Sequence, residues 1–242
     1  MKFGKNPAVR SRKSLSLSNY LHMNQVAFPQ VQAWERPIAY GMLGNDEVGD
    51  CTIAGADHLE MNWQAVANAG APLAITTEQA LADYSAVTGY DPADPSTDQG
   101  ANMLDVLNYW KAKGLAGRKI AGFATLDVQN VDHIKAAIYL FGGVYMGFNV
   151  PRSVEDDPNN KTWRLIPGDS PTGDGHCVVP VGYGRSGLAP LSWGAIYHAT
   201  WDFWLAYVDE AYAVVSPDWI KASGTSPTGL DLNGLLQDLA AL

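Results

Sequence analysis

The sequence has little cysteine and no long hydrophobic run. Cysteine occurs only twice in 242 residues, at positions 51 and 177, which is too few for a disulfide-stapled secreted scaffold. No apolar stretch approaches the roughly 18–20 residues of a membrane-spanning helix, and the N-terminal segment lacks the apolar core of a secretory signal. We therefore expect a protein of the cytoplasm or of a larger assembly, with no membrane partner and with both thiols reduced.

Charge is also scarce, and it is unevenly placed. Charged residues make up 17% of the chain against 47% hydrophobic residues, which is the composition of a folded globular protein. The net charge is −9, yet residues 1–13 contain five basic side chains and no acidic one. The acidic remainder argues against nucleic-acid binding. The basic arm is interpreted as a solvated tail, as an arm lying on the chain's own acidic body, or as a segment that contacts nucleic acid or an acidic partner.

Hydrophobic periodicity predicts an α+β protein in which helices come first and strands follow. Helices are predicted over 51–68, 75–87, 103–114 and 130–143. Strands are predicted over 143–150, 176–184, 188–195 and 210–216, and long loops over 89–102 and 151–175. The predicted units are a basic arm (1–36), a domain (37–222) with a helical lobe (37–141) and a sheet lobe (142–222), and a C-terminal tail (223–242).

The tail contains a short amphipathic segment. Its predicted apolar face consists of Leu232, Leu235, Leu236 and Leu239. We expect this face to dock on the body of the protein or on a partner protein.

Cys51 is the first candidate for chemistry because it follows a turn and begins a predicted helix. A helix N-terminus and a nearby imidazolium are the two devices that stabilise a thiolate. Of the five histidines, His176 is the best partner, since it starts an apolar strand after a glycine-rich loop. His58 lies on the Cys51 helix about 10 Å away, too far for contact. The alternatives for Cys51 are a buried structural thiol or a disulfide with Cys177; no spacing suggests a zinc site.

An ordered series of motifs resembles the papain-like cysteine peptidase superfamily. The family pattern Q-x-x-x-G-x-C corresponds to "NDEVGDC" (45–51), and H-A-V-x-x-V-G-Y-G corresponds to "HCVVPVGYG" (176–184). The family's N-S-W-G corresponds to "LSWG" (191–194), and the resemblance spans roughly 38–216. It implies a divergent bacterial or phage-type member, with a helical half carrying the cysteine helix packed against an antiparallel sheet or barrel half carrying the histidine.

The resemblance also implies a role for individual residues. Cys51 matches the nucleophile and His176 the general base and acid, while Asn45 falls where the family has its oxyanion-hole glutamine. The third member of the triad is Ser192, counted sixteen residues from the histidine, or Leu191, counted back from "SWG". Trp193 matches a tryptophan that shields the histidine's partner from water. Substrate-binding positions are expected at Gly49, Asp50, Gly100, Ala101, Gly175 and Trp193, and no metal or cofactor is implied.

The residues around Cys51 also depart from the family pattern. Thr52 stands where the family usually has a bulky tryptophan, and the carboxylate of Asp50 is expected to oppose thiolate formation. The arm over 1–36 is short for an inhibitory pro-segment.

Two functions are compatible with the sequence. The first is a thiol hydrolase that cleaves peptide or other amide bonds of a peptide or protein substrate through an acyl-enzyme, and the same parts could transfer the acyl group to an amine. The second is a catalytically weak or inactive papain-fold protein that acts as a binding or structural component of a larger, possibly viral, assembly. The absent triad asparagine, the basic arm and the amphipathic tail favour the second.

Overall fold

The computed structural model describes residues 1–9, 11, 14–23, 26–67, 73–217, 219 and 232–241. Its α-helices are α1 (Cys51–Ala67), α2 (Thr77–Thr88), α3 (Met103–Ala112), α4 (Val131–Phe141), α5 (Arg152–Asp156), α6 (Trp201–Tyr207) and α7 (Leu232–Ala240). Its strands are β1 (Leu15–Ser16), β2 (Gln32–Ala33), β3 (Gly122–Thr125), β4 (Tyr145–Pro151), β5 (Thr162–Trp163), β6 (Pro171–Tyr183), β7 (Gly187–Ser192), β8 (Ala195–Ile196), β9 (His198–Thr200) and β10 (Val208–Val215).

Local signals account for the ends of the predicted helices. Thr76 forms a capping box with Gln79 at the start of α2, and Gly89 ends that helix in the left-handed conformation. Asn130 caps α4 by accepting from the backbone N–H of His133, and Gly142 ends it with φ of 73°. The helices α2 and α4 therefore begin and end close to where the sequence predicts.

The strands form one mostly antiparallel sheet in the described part of the chain. Its order is β1-β3-β10-β4-β6-β7-β9-β5, with β2 added to β6 and β8 added to β7. The register of β4 against β6 places His176 opposite Phe148 and Cys177 opposite Gly147. The α+β class predicted from the sequence is confirmed.

Two segments differ from the prediction of a long loop followed only by strands. Within 151–175 the chain forms α5 and β5, and β6 already begins at Pro171, because that residue pairs with Pro151 of β4. The helix α6 was not predicted. It has only seven residues, and it is started by Thr200, whose side chain accepts from the backbone N–H of Phe203.

The helix α1 packs against β6, and this strand separates two apolar clusters. Cys177 and Val179 of β6 belong to the cluster around α1, whereas Val178 belongs to the cluster on the other face of the sheet. This follows from the alternation of side chains along a strand, which predicts that Cys177 and His176 point in opposite directions. Both cysteines are free thiols.

The segment from 14 onward in the arm is part of the folded body. Leu17 is fully buried, β1 pairs with β3, and β2 pairs with β6. The tail also docks on the body, since Leu235 of α7 is fully buried and Asp238 accepts a 2.6 Å hydrogen bond from Tyr20. Residues 223–231 and the side chains of Leu232 and Leu239 lie outside the described residues. Among the helices that are described, none is long and apolar enough to cross a bilayer.

The helix α1 is enclosed even on its polar side. His58 is buried and donates from Nε2 to the Gly41 carbonyl at 2.9 Å, and burial lowers the pKa of His58 to about 4. Burial raises the pKa of Asp57 well above its usual value, and that of Asp50, directly before the helix, to about 8. Burial therefore favours the neutral form of both acids, and Asp50 is mostly neutral at pH 7.

We predict that Leu17→Ala lowers the free energy of unfolding by about 2–5 kcal/mol, because it leaves a cavity in the core. Urea denaturation followed by tryptophan fluorescence measures this loss. The control is Leu205→Ala on α6, where the leucine is 39% exposed and the expected change is under about 1 kcal/mol. Equal losses of unfolding free energy in the two variants would contradict the burial of Leu17 in the core.

Asp50 makes the stability of the protein depend on pH. Its pKa in the folded state lies above the ordinary value of 3.8, so its stabilising contribution is fully present at acid pH and is lost as the pH rises through about 8. Asp50→Asn keeps a neutral side chain at every pH. We therefore predict that its stability relative to the parent protein rises by several kcal/mol between pH 5 and pH 9.

Urea denaturation across that pH range measures the change. The control is Asp46→Asn, at an exposed position four residues earlier. For this control the stability difference should stay nearly constant with pH. A flat profile for Asp50→Asn would show that the Asp50 carboxyl is already ionised in the native protein.

Candidate active site

Cys51 is the first residue of α1 and lies where that helix meets β6. The Asp50 carbonyl accepts from the backbone N–H groups of Ile53 and Ala54, so the first turn of the helix is closed behind the cysteine. The N–H of Cys51 itself belongs to the helix start, where donors have no partner within the helix. Cys51 is 1% exposed, and burial raises the pKa of its thiol to about 12, opposed by hydrogen bonds from the backbones of Cys177 and Gly4.

His176 lies in β6, and its ring is enclosed by aromatic side chains. Its Nε2 atom is 2.8 Å from Ser192 Oγ, and its Nδ1 atom is buried without a hydrogen-bond partner in the described part of the protein. The indole of Trp193 stacks on the imidazole with a centroid distance of 4.2 Å and an interplanar angle of 18°. Burial lowers the pKa of His176 to about 3, which keeps the imidazole neutral.

The packing of α1 on β6 places Cys51 against the strand that carries His176. The Cys51 thiol receives a hydrogen bond from the backbone of Cys177, the residue directly after His176. Cys51 and the Cys177 backbone, 126 positions apart in the sequence, thus become neighbours.

A tight turn holds the residues behind the imidazole. Ser192 pairs with Ala195, and the two residues between them, Trp193 and Gly194, have φ of 46° and 69°. Two successive positive φ values in a two-residue hairpin loop define a type I′ turn. At Gly194 a Cβ would lie 2.7 Å from the Gly41 carbonyl oxygen, so only glycine fits.

This turn decides which residue faces the histidine. It directs Ser192 Oγ to His176, whereas Leu191, the other candidate from the sequence, is fully buried in the cluster around α1.

Asn45 and Asp50 occupy the turn before α1. The Asn45 Nδ2 atom donates to the Val48 carbonyl at 3.0 Å, and the same amide lies beside the Asp50 carboxyl and lowers its pKa. The Asp50 side chain is fully buried, so a ligand in the cleft could reach only its backbone. Because burial raises the pKa of Asp50 to about 8, the predicted repulsion between its carboxylate and the Cys51 thiolate acts only above that pH.

The first residues of the chain lie in the cleft over Cys51. Lys5 donates its backbone N–H to the Gly175 carbonyl at 3.0 Å, and the Gly4 carbonyl accepts from Ala101 at 2.8 Å. Asn6 donates to the Ala101 carbonyl at 2.9 Å, so the arm pairs in parallel with this wall. At Gly100 a Cβ would overlap the Gly4 carbonyl. Several predicted substrate positions therefore contact the chain's own N-terminal segment, residues 2–6, which we call the cleft segment.

Two side chains of the cleft segment are anchored in the site. The ring of Phe3 meets the His176 imidazole edge-on at 5.5 Å and the Trp193 indole at 5.7 Å. Lys5 is 4% exposed and forms ion pairs with Asp209 and Glu210. The sequence signal for this arrangement is the basic arm beside an acidic body, which allowed the docked arm as one of three interpretations.

The described side chains offer no obvious metal site. No group of three or more histidine, cysteine, aspartate or glutamate residues among them could hold a metal ion.

Comparison with known proteins relates the fold to one class of enzyme. No family model and no curated protein sequence matches the chain. Among solved structures, xylellain, a cysteine protease from Xylella fastidiosa, aligns with a TM-score of 0.69 at 16% identity, covering 88% of this chain and 96% of that one. A cysteine protease of Carica candamarcensis aligns at 0.54 and 14% identity, covering 78% of this chain and 99% of that one.

A third structure, procathepsin B from Trypanosoma congolense, aligns with a TM-score of 0.55 at 12% identity, covering 89% of this chain and 86% of that one. The helical part and the large, mostly antiparallel sheet of the described residues are consistent with these alignments. The chain therefore has the papain-like cysteine peptidase fold.

Proposed function

We propose that the protein is a thiol peptidase that cleaves peptide bonds with Cys51 as nucleophile and His176 as general base and acid. The observation that carries this proposal is the peptide already present in the cleft. The cleft segment passes over Cys51 in an extended conformation, with backbone hydrogen bonds to both Ala101 and Gly175. A groove that binds peptide backbone across a cysteine at a helix start has the parts that peptide hydrolysis requires.

The proposed reaction proceeds through an acyl-enzyme. The Cys51 Sγ atom attacks the substrate carbonyl carbon while its proton moves to His176. The carbon–nitrogen bond then breaks, the departing amine takes that proton from His176, and the acyl group remains as a thioester on Cys51. A water molecule that gives a proton to His176 attacks the thioester carbonyl. The acid leaves as the carbon–sulfur bond breaks, and the thiol regains its proton.

The remaining residues position these groups. We assign the Nε2–H tautomer to His176, so that this N–H donates to Ser192 Oγ and the unpartnered Nδ1 accepts the thiol proton. The backbone N–H of Cys51 is one donor to the oxyanion, with the dipole of α1 behind it. The Asn45 amide is the proposed second donor, which requires one of its N–H groups to turn away from Val48 or Asp50.

The cleft segment holds the site in an inactive state. Gly4 presents its backbone N–H to the Cys51 thiol, and its carbonyl oxygen accepts from the Ala101 N–H, so the Gly4 carbonyl is engaged elsewhere. Burial also favours a neutral thiol and a neutral imidazole over the ion pair. Release of the segment admits water, which removes the main cause of both pKa shifts. We therefore infer that the segment must leave before the enzyme acts.

We predict that Lys5→Glu in the full chain accelerates alkylation of Cys51 by iodoacetamide at least about tenfold, because a third carboxylate beside Asp209 and Glu210 repels the cleft segment. The rate measured against pH should remain high well below pH 7, as expected for a thiolate–imidazolium pair. Mass spectrometry of tryptic peptides identifies the alkylated cysteine.

The matched control is Lys2→Glu, at an exposed lysine of the same segment, which should leave the rate close to that of the parent protein. Cys51→Ala supplies the background from Cys177. If Cys51 in the opened cleft titrates as an ordinary thiol, with a pKa of about 8.5, the proposed thiolate–imidazolium pair is wrong.

We further predict that the Lys5→Glu protein hydrolyses fluorogenic peptides faster than the parent chain does. Adding Cys51→Ala should remove this activity, and adding His176→Ala should lower kcat/KM by roughly a thousandfold or more, because the base is lost. If Cys51 is alkylated rapidly but no peptide is cleaved and no acyl-enzyme forms, the binding or structural role becomes the better account.

A further inference from the structure

Lys5 occupies a pocket that opens from the cleft beside Cys51. Its side chain passes between Met103 and Gly147, and at Gly147 a Cβ would overlap the lysine stem. The pocket ends at two carboxylates of β10, those of Asp209 and Glu210. We call this space the acidic pocket.

The contacts at the end of the acidic pocket match an ammonium group. Lys5 Nζ lies 3.0 Å from Asp209 Oδ2 and 3.2 Å from Glu210 Oε1, and it donates to the Asn6 carbonyl at 3.1 Å. The second oxygen of Glu210 is held by the Tyr212 hydroxyl at 2.7 Å. The acids belong to β10, an interior strand of the sheet, so their backbone is supported independently of the cleft segment.

The two carboxylates of the acidic pocket require a positively charged partner. Asp209 and Glu210 are 22% and 8% exposed at their side chains, and Lys5 is the cation paired with both. Burial raises the pKa of Glu210, and the charge of Lys5 opposes this effect. When the cleft segment leaves, two partly buried carboxylates lose their counter-ion. An apolar side chain in its place would leave them uncompensated.

The acidic pocket lies one residue along the cleft segment from the contact with the Cys51 thiol. Gly4 is the residue whose backbone contacts the Cys51 thiol, and Lys5 follows it directly. The Lys5 backbone donates to Gly175, the residue before His176. A peptide that presents a carbonyl to Cys51 therefore places a side chain near the attacked bond into the same pocket.

We propose that the acidic pocket selects peptides that carry a lysine or arginine side chain near the attacked bond, with Asp209 and Glu210 as the specificity-determining residues. A cavity of about 260 Å³ also adjoins the two acids and is lined in part by Thr125 and Tyr212 and by Ala8 and Val9 of the arm. As a statement about cleavage this inference rests on the proposed peptidase function, and as a statement about binding it does not.

The cleavage test uses paired fluorogenic peptides on the full-length Lys5→Glu protein. Each pair carries lysine or norleucine, which has the same stem without the charge, at one of the three positions before the scissile bond. At one position lysine should raise kcat/KM over norleucine by roughly 10- to 100-fold, the effect of a charged hydrogen bond. The double variant Asp209→Asn, Glu210→Gln should reduce this ratio below about threefold.

The matched control is Asp202→Asn, which removes an exposed acid of α6 away from the cleft and should leave the ratio unchanged. Hydrolysis with no lysine preference at any position, or a preference that survives the double variant, would overturn the proposal.

A binding measurement separates failure of the pocket from failure of the enzyme. A synthetic peptide with the sequence of residues 1–9 is added to the Lys5→Glu protein, with lysine or norleucine at its fifth position. Protection of Cys51 from iodoacetamide reports the Kd of each peptide and requires no turnover and no pocket variant. We expect the lysine peptide to bind roughly 10- to 100-fold more tightly.

If the two peptides protect Cys51 equally, the acidic pocket is not a selective site, whether or not the protein hydrolyses peptides. Tighter binding of the lysine peptide without any hydrolysis would leave the pocket supported and reject the peptidase.

Discussion

The contact between α1 and β6 is the one on which the rest of the site depends. It places the helix start at Cys51 against the strand that carries His176, and the thiol meets the backbone of Cys177. A helix start supplies unpaired N–H donors and a favourable dipole, while a central strand supplies a rigid support for an imidazole. The turn over Trp193 and Gly194 then fixes Ser192 behind the ring. The start of α1 positions Cys51, the strand β6 positions His176, and the turn positions Ser192; each of these elements forms for a separate physical reason.

Desolvation is the second constraint on the site, because it controls the protonation states of Cys51 and His176. With the cleft segment in place, burial is the main cause that raises the pKa of Cys51 to about 12, and it lowers that of His176 to about 3, so both groups are neutral. The same segment covers the thiol and fills the acidic pocket with Lys5. Coverage of the thiol, protonation state and pocket occupancy therefore all depend on one short piece of chain, and under the proposed function this contact joins specificity to regulation.

Much of the fold could be predicted because its signals are local. Caps at Thr76 and Asn130 and glycines at 89 and 142 mark helix ends that the structure keeps. The short helix α6 and the early start of β6 at Pro171 could not be predicted, since pairing and packing with distant segments create them. Of the site, the sequence pointed to Cys51 and His176, but it left Leu191 and Ser192 as alternatives for the third position. Only the turn, with its two positive φ values, directs Ser192 to the imidazole.

The sequence by itself determined the kind of chain this is: a mixed α+β protein with a cysteine at a helix start, a histidine on an apolar strand and a basic arm beside an acidic body. These features follow from residue types and from short-range periodicity, so they can be read along the chain. Only the tertiary structure decided that the arm enters the cleft, that Lys5 meets Asp209 and Glu210, and that the Asp50 carboxyl is buried with its pKa raised to about 8. Burial and long-range charge pairing are properties of the packed molecule, and no local pattern encodes how far a side chain lies from water.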